Sequence, residues 1–306
     1  MLPRIRLVDY GVLGTQLVPR SGIVRRAEPP DDFTAFVDPA GLHHIHGSGP
    51  SSAGGASGGI YEHVGIRGDR HFPEDVRQAV NEECDAHYHR YHTAGGHHHV
   101  IHTVGPRLGH GKYTWDEAVA TLAGAYRNVL ACFARFAASK GPAEAGLAPA
   151  GAPVRLRLLP ISGGIFAGEY QQRIAPLTLA ALQAGIGLLT EEERGVLATE
   201  QGGEGYAAER GAQIELCIFL EVELAAFKRA FHRVVEGRRP WSVGRAVAAA
   251  LLVGLTAFAL CTAMRDAAAI YAYATRDDEA DSGLRVAQPQ ATVLDSESSD
   301  LSPHSG

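Results

Sequence analysis

The chain has 306 residues, of which 45% are hydrophobic and 20% are charged. This composition provides enough apolar surface for the core of one large or two small domains, and it excludes a chain that is disordered throughout. The net charge of −6 has its source in the last thirty residues, which hold seven acidic residues and one arginine. The rest of the chain is near neutral, which gives no general affinity for nucleic acid.

Cysteine usage and the first residues argue against a secreted, disulfide-stapled protein. The four cysteines are far apart in the sequence and form no CxxC motif: Cys84, Cys132, Cys217 and Cys261. This spacing is typical of a reducing compartment. The N-terminal stretch "MLPRIRLVDYGVLG" carries charges at Arg4, Arg6 and Asp9 and lacks a continuous apolar run, so no signal peptide is predicted.

Residues 1–236 predict a three-layer α/β/α domain with a mixed sheet, because short apolar or β-branched runs alternate with helical patterns. The predicted strands are "AFVD", "HHVIHTV", "VRLRLLPI" and "IELCIFLEV". Helices are predicted over 72–91, with Pro73 in the first turn, and over 114–139, with Thr114 as the N-cap. Gly-, Ala-, Pro- and charge-rich stretches at 140–153 and 190–212 predict surface insertions, and Glu191 to Glu193 a solvated face.

Residues 246–264, "AVAAALLVGLTAFALCTAM", contain no charged side chain and are preceded by a basic segment at 237–245. Nineteen apolar residues are just long enough to cross a bilayer, so a single transmembrane helix is predicted here. The alanine-rich composition leaves a buried soluble helix as the alternative. If the segment spans a membrane, the upstream Lys and Arg residues place the globular domain in the cytoplasm. The acidic tail at 277–306 has the composition of a disordered segment.

The stretch "LLPISGGIFAGEYQ", residues 158–171, shows an apolar strand that stops at a serine and two glycines. Consecutive backbone N–H groups in such a loop bind phosphate, especially at the carboxyl end of a strand in an α/β sheet. The alternative is a tight strand-to-helix turn that needs glycine only for positive φ angles. A second glycine-rich loop, "AGGASGG" at 53–59, also leads into a helical segment.

Four pieces of the chain, taken in order, resemble the macrodomain family, whose fold binds ADP-ribose. They are "AFVDPAG" at 35–41, "AGGASGGIYEHVG" at 53–65, "VIHTVGP" at 100–106 and "PISGGIFAGEY" at 160–170. They are similar, respectively, to the family's "AIVNAAN" strand end, its "GGGVDGAIHRAAG"-like loop, its "VIHTVGP" segment and its "PAISTGIYGYP"-like phosphate loop. The resemblance covers about residues 30–235 and implies a macrodomain-like fold.

The resemblance implies that two loops hold the diphosphate of ADP-ribose through backbone N–H groups. The implied ligand-binding residues are Asp38, Gly54, Gly55, Ser57, Gly58, Gly59, Ser162, Gly163, Gly164, Ile165 and Phe166. Asp38 stands where the family has the first asparagine of its strand end. Phe166 would lie against the distal ribose, or it packs as a core aromatic just after the turn. No cofactor is expected.

The usual hydrolytic residues of the family are absent. Gly41 replaces the asparagine that orients the distal ribose, and Ser57 replaces the aspartate that helps to activate water. Glycine has no side chain, and serine at its ordinary pKa is a poor general base, so no catalytic residue is assigned. The family's early "GDI" aspartate, which reads adenine, also has no clear counterpart here.

Histidines are the remaining candidates for chemistry. His43, His44 and His46 lie in "LHHIHGSGPSS", an insertion beside the first glycine loop, where they are either general bases, weak zinc candidates or part of a polar surface loop. A second group is interpreted as solvated or edge histidines: His87, His89, His92 and His97 to His99. His102, between apolar neighbours, is expected to be a packed and hydrogen-bonded core residue.

Three functions remain open from the sequence. The first is a module that binds ADP-ribose, free or attached to protein, through the glycine loops. The second is a divergent hydrolase that removes mono-ADP-ribose from acidic side chains, with substrate assistance or with the histidines of the 43–46 loop. The third is a degenerate, membrane-tethered interaction domain that has lost ligand binding. The first is the principal prediction.

Overall fold

A six-stranded, mostly parallel sheet organises the protein, whose computed structural model describes residues 3–109, 111–140, 153–198 and 212–235. The strands are β1 (Arg4–Val8), β4 (Thr34–Asp38), β5 (Ala86–Thr93), β6 (Gly96–Thr103), β7 (Val154–Leu158) and β8 (Ala212–Cys217), and β2 (Thr15–Val18) and β3 (Gly22–Arg25) form a separate hairpin. Their order in the sheet is β1-β8-β7-β4-β6-β5. All neighbours are parallel except β5, which pairs antiparallel with β6 at one edge.

The described helices lie on both sides of this sheet. They are α1 (Gly55–His63), α2 (Glu74–Ala79), α3 (Trp115–Ser139), α4 (Ile174–Gly187), α5 (Glu191–Leu197) and α6 (Glu221–Val235). Buried residues of α3, α4, α5 and α6 share one apolar cluster with one face of the sheet. Buried residues of α1 and α2 share a second, smaller cluster with the other face. The described region is thus a mixed α/β fold with helices on both faces, as the sequence predicts.

The four predicted strands are confirmed in position; β4, β6 and β8 begin one or two residues earlier than predicted, and β6, β7 and β8 end earlier. β4 is buried at every residue because parallel neighbours flank it and helices cover both faces. The predicted strand over 214–222 ends earlier, at Cys217, because α6 begins at Glu221.

The prediction for 114–139 is confirmed in detail. α3 begins after Thr114, whose hydroxyl accepts the N–H of Glu117 while the Glu117 carboxylate accepts the Thr114 N–H. This capping box satisfies two N–H groups that the first helical turn leaves open. The helix then runs for 25 residues, and its apolar face covers the sheet.

The predicted helix over 72–91 is wrong in its second half. Only Glu74–Ala79 is helical, and Pro73 is the N-cap residue instead of a first-turn residue. Cys84 has φ +73°, which an α-helix does not allow, and the chain then continues as β5. The segment "AHYHRYHT" forms a strand that pairs with β6 over eight residues. This pairing with a neighbouring strand overrides the helical spacing of its apolar residues.

The two predicted insertions differ in what the structure describes. Residues 141–152 lie outside the described residues, whereas Glu191 to Glu193 form the first turn of α5. Glu191 and Glu192 are exposed, and the partly exposed Glu193 caps the helix by accepting the N–H of Thr190 at 2.8 Å. The Glu191–Glu193 run therefore has a capping role in addition to the solvated face that was predicted.

Within the described ranges no single helix has the length and apolar character needed to cross a membrane, although the pair Gly168–Gly187 and Glu191–Leu197, bent by 117°, meets that test jointly. The predicted transmembrane segment 246–264 lies outside the described residues, as do the basic segment 237–245 and the acidic tail 277–306.

Candidate functional site

The loop after β7 is held in an unusual backbone conformation. Ser162 has φ +59°, in the left-handed region that residues other than glycine rarely adopt. Its hydroxyl donates to the carbonyl of Pro106 at 2.7 Å, and the side chain is buried. The surrounding structure therefore fixes a conformation that costs free energy, a feature that concentrates at ligand-binding sites.

Neighbouring contacts make the same loop rigid at its base. The Ile161 N–H donates to the buried Tyr126 hydroxyl of α3 at 3.0 Å, and the Gly163 N–H donates to the Pro160 carbonyl at 3.0 Å. A Cβ on Gly163 would lie 2.8 Å from that carbonyl oxygen, so only glycine fits this turn.

The tip of the loop is open to solvent. Gly164 is exposed and Ile165 is 96% exposed. Among the described residues, nothing accepts a hydrogen bond from the N–H groups of Gly164, Ile165 or Phe166. Three consecutive N–H groups without an acceptor are available to an anion, the kind of ligand that successive backbone N–H groups bind.

The first glycine loop leads directly into α1. Gly54 precedes the helix without a side-chain cap, and Gly55, at φ +57°, has open space where a Cβ would be. The first-turn N–H groups of this nine-residue helix have no acceptor within the helix and point beyond its N-terminus. Both glycines are exposed, so this end of α1 is accessible.

The other residues of this loop serve packing. Ser57 is buried on the side of the helix that faces Tyr61. A Cβ on Gly58 would lie 2.8 Å from the carbonyl oxygen of Ala53, which makes glycine necessary for the close approach of the chain. Gly59 is exposed and lies near Leu13. Gly54 and Gly55 therefore present backbone to solvent, whereas Ser57 and Gly58 support them.

The two glycine loops both come after strands whose carboxyl ends lie at the same end of the sheet. β4 and β7 are parallel neighbours, so their carboxyl ends lie at the same end of the sheet. The loop at 162–166 follows β7 almost directly, whereas the loop at 53–59 follows β4 after two short helical segments, His44–Ser48 and Pro50–Ser52. Ligands of open α/β sheets bind at the carboxyl ends of the strands. The loop after β6 joins them there, because Pro106 accepts the hydrogen bond from Ser162.

Asp38, the last residue of β4, is fully buried in a network of side chains. Its Oδ2 accepts from the Tyr61 hydroxyl and from His102 Nδ1, each at 2.8 Å. With the proton on Nδ1, His102 Nε2 accepts from the Tyr91 hydroxyl at 2.9 Å. Burial, and then the nearby Asp38 carboxylate, raises the pKa of Tyr61 well above its usual value. The network joins α1 to β4, β5 and β6.

This placement bears on two predictions. His102 is a packed, hydrogen-bonded core residue, which confirms its interpretation. Asp38 exposes no surface and its Oδ1 has no hydrogen-bond partner among the described residues. As placed, Asp38 supports α1 from below and does not line the exposed edge where Gly54 and Gly55 lie.

A second buried polar cluster lies on the same face and was not found from the sequence. Arg157 Nε donates to Glu215 Oε2 at 3.2 Å, and Arg157 Nη1 donates to the Val12 carbonyl at 3.2 Å. Tyr10 and Gln213 also donate to Glu215, at 3.1 and 2.9 Å. The signal was present as charged or polar residues at alternate positions of two apolar strands, "VRLRL" and "AQIELC". The cluster fixes the loop after β1 at the edge of the sheet.

The histidines of the 43–46 loop do not converge on one point. His44 Nδ1 lies 3.1 Å from Ser48 Oγ and 3.0 Å from Ser52 Oγ, whereas His46 Nε2 lies 2.7 Å from the Val80 carbonyl oxygen. No group of three or more His, Cys, Asp or Glu in the part of the chain that the structure describes is arranged to hold a metal ion. The residue at the family's asparagine position, Gly41, borders this loop and is partly exposed.

The second histidine group lies on the β5–β6 hairpin and is only partly solvated. His87 and His89 contact the Asp75 carboxylate at 3.0 and 2.8 Å. His99, by contrast, is buried against α3, so the expectation of a solvated or edge residue is wrong there. Burial, and then nearby Lys140, lowers the pKa of His99 to about 3.

His63 at the end of α1 is a further half-buried histidine. Burial, and then the neighbouring His98, lowers the pKa of His63 to about 4. The two rings lie 4.5 Å apart, centre to centre. Burial lowers the pKa of His98 as well, so both imidazoles are neutral at pH 7.

Phe166 is partly buried, and its ring has a neighbour that the sequence does not indicate. The guanidinium carbon of Arg107 lies 5.1 Å from the centre of the Phe166 ring. The Phe166 carbonyl accepts the Leu108 N–H at 2.8 Å. The second glycine loop is thus paired along its end with the loop that follows β6.

Comparison with known proteins leaves the family of this chain undefined by homology. No family model matches the chain, and no curated protein matches it. One solved structure similar to it is described as "Alphavirus P23pro-zbd", with 16% sequence identity and a TM-score of 0.40. That match covers 78% of this chain and 24% of the solved chain. The fold and the site therefore define this protein only as a mixed α/β protein with two glycine loops at one edge of its sheet.

Proposed function

We propose that this chain is a macrodomain-like module that binds ADP-ribose, free or attached to protein, through the backbone N–H groups of its two glycine loops. The observation that carries the proposal is that both loops follow the carboxyl ends of neighbouring parallel strands, β4 and β7. The four sequence segments that resemble the family support it. The free N–H groups at Gly164 to Phe166 and at the start of α1 suit a diphosphate.

The proposal has a direct test in a thermal-shift and calorimetric titration of the full chain with ADP-ribose, using AMP as the control. A ligand at a hundred times its dissociation constant stabilises the folded state by about 2.7 kcal/mol. We expect a shift with ADP-ribose and a smaller one with AMP, which lacks the diphosphate. Absence of binding at millimolar ADP-ribose contradicts the proposal.

Hydrolysis of mono-ADP-ribose is the second candidate, and one contact favours it. His44 Nδ1 lies within hydrogen-bond distance of Ser52 Oγ, and Ser52 lies two residues before Gly54. The Ser52 hydroxyl donates to Ser48 Oγ at 2.6 Å, so His44, Ser48 and Ser52 form one polar group in which the imidazole is the side chain able to act as a general base. Release of label from a modified protein should fall in His44→Ala, with His43→Ala as the matched control. Equal rates in both variants and in the unchanged chain remove this mechanism.

We also propose that residues 246–264 anchor the chain in a membrane, with the globular domain on the cytoplasmic side. The support is the length of the uncharged run and the Lys and Arg residues before it. The test is alkaline extraction of membranes from cells that express the full chain or a variant without 246–264. Release of the full chain into the soluble fraction contradicts the anchor.

A further inference from the structure

The backbone on both sides of Arg107 is hydrogen-bonded to the loop after β7. The residue before it, Pro106, accepts the Ser162 hydroxyl at 2.7 Å, and the residue after it, Leu108, donates its N–H to the Phe166 carbonyl at 2.8 Å. Both chain neighbours of Arg107 are thus hydrogen-bonded to the loop after β7. The position of Arg107 relative to that loop is fixed from two sides.

The guanidinium of Arg107 has no carboxylate partner among the described residues, whereas the Arg107 backbone N–H donates to Glu83 Oε1 at 3.4 Å. The residue is exposed, its guanidinium lies over the Phe166 ring at 5.1 Å, and it forms no ion pair within the described ranges. Lys112, a few residues further along, instead pairs with Glu83 at 3.5 Å. Within the part of the chain that the structure describes, a guanidinium without an ion pair therefore lies beside the Phe166 ring, at the end of the loop at 162–166.

The chemistry of guanidinium suits a phosphate at this place. Its planar set of donors matches two phosphate oxygens at once, and an aromatic face beneath it restrains its orientation. Backbone N–H groups contribute only partial charges, whereas a diphosphate carries a full negative charge on each phosphate. A fixed cation beside the donor loop supplies the charge that the loop itself lacks.

We infer that Arg107 is a side-chain ligand for one phosphate of a diphosphate held by the loop at 162–166. This inference deepens the proposed function, on which it rests, by naming a residue that supplies a full positive charge to the diphosphate. It also gives Phe166 a definite role. The Phe166 ring supports the guanidinium of Arg107, a role different from the ribose contact that the family resemblance implies.

The experiment compares Arg107→Gln with the unchanged chain by calorimetric titration, using ADP-ribose and inorganic pyrophosphate as separate probes. We expect the dissociation constant for both probes to rise about tenfold, as for the loss of one charge-assisted hydrogen-bonded contact. Arg107→Lys should retain part of the affinity, because it keeps the charge and loses the two-pronged geometry. Arg90→Gln, an exposed arginine on β5, is the control for charge and should bind as the unchanged chain does.

The outcomes separate this inference from the proposed function. Equal ADP-ribose affinity in Arg107→Gln and the unchanged chain overturns the inference and leaves the function standing. Pyrophosphate binding that depends on Arg107, without ADP-ribose binding, supports the inference and overturns the function. No binding of either probe to the unchanged chain at millimolar concentration overturns both. A thermal unfolding curve of each variant shows that a lost affinity is not lost folding.

Discussion

The two faces of the central sheet are built from the same strands but bury different kinds of side chain. On the face covered by α3 and α4, the inward residues of β7 and β8 are aliphatic. On the other face, the alternate residues of the same two strands include Arg157, Gln213 and Glu215. The period of two along a strand puts these opposite environments one residue apart.

The buried polar side chains of the sheet are concentrated on the second of these faces. The polar face also carries Asp38 and His102, and it is the face on which α1 leads from the first glycine loop. The apolar face has the longest helix and the larger core. Stability therefore comes mainly from one face, whereas the other face fixes the position of α1 and of the edge loops through directional hydrogen bonds.

The largest expected loss of stability comes from removing the Glu215 carboxylate on the polar face. Glu215→Ala leaves the Arg157 charge buried without its partner and should lower the free energy of unfolding by about 4 kcal/mol in urea denaturation. The double variant Arg157→Met with Glu215→Leu is the matched control and should lose much less, because no charge remains buried. A loss below about 1 kcal/mol in Glu215→Ala would show that water reaches Arg157.

A truncation on the apolar face, one residue away, sharpens the comparison. Leu156→Ala leaves a cavity in the larger core and should lower the free energy of unfolding by about 3 kcal/mol. Because no charge is involved, this loss should be the same at low and high salt. Unfolding curves at two salt concentrations test this, and a salt-dependent loss would contradict the assignment of Leu156 to an apolar environment.

The next effect concerns the contact between α1 and Asp38. Tyr61→Phe removes one of the two donors to Asp38 Oδ2 and should cost about 2 kcal/mol, as for a buried acceptor that loses a partner. ADP-ribose affinity should also fall if α1 holds the first glycine loop. Phe72→Leu, which alters a ring beside Tyr61 without removing a hydrogen bond, is the control.

Substitutions of Ser162 test whether the positive φ of the loop after β7 costs free energy, and a smaller loss of stability is expected. Ser162→Ala loses the hydrogen bond to Pro106 and keeps the positive φ, so it should cost about 1 kcal/mol. Ser162→Gly loses the same bond but accepts the φ angle without strain, so it should unfold at nearly the unchanged midpoint. Equal stability of the two variants would show that φ at this residue stores no free energy.

The smallest expected effect is the pH dependence due to His63. Its pKa is near 6.5 when unfolded and about 4 when folded. The unfolded state therefore binds more protons between these values, so the stabilisation is present above pH 6.5 and is lost as the pH falls towards 4. His63→Gln should flatten this part of a stability profile, by less than about 1 kcal/mol between pH 6.5 and 5 because the ring is only half-buried. A steeper acid loss in the variant than in the unchanged chain would contradict this assignment.

Sequence reasoning succeeded where one local pattern sufficed. The capping residues and apolar spacing of 114–139 predicted α3, and short apolar runs predicted β4, β6, β7 and β8. It failed where pairing at a distance decided the outcome. Residues 86–93 carry a helical spacing of apolar residues, but β6 offers them an edge to pair with, and Cys84 turns the chain there.

The candidate site also combines features that the sequence predicts with features that only the tertiary structure shows. The residue types of the two glycine loops determined that the backbone is accessible at Gly54, Gly55 and Gly164, because glycine shields no N–H group. Only the tertiary structure decided that the loops share one edge, that Asp38 lies beneath α1, and that Arg107 lies over Phe166. The physical reason is that backbone exposure is a local property of residue type, whereas strand order and side-chain contacts depend on residues far apart in the chain.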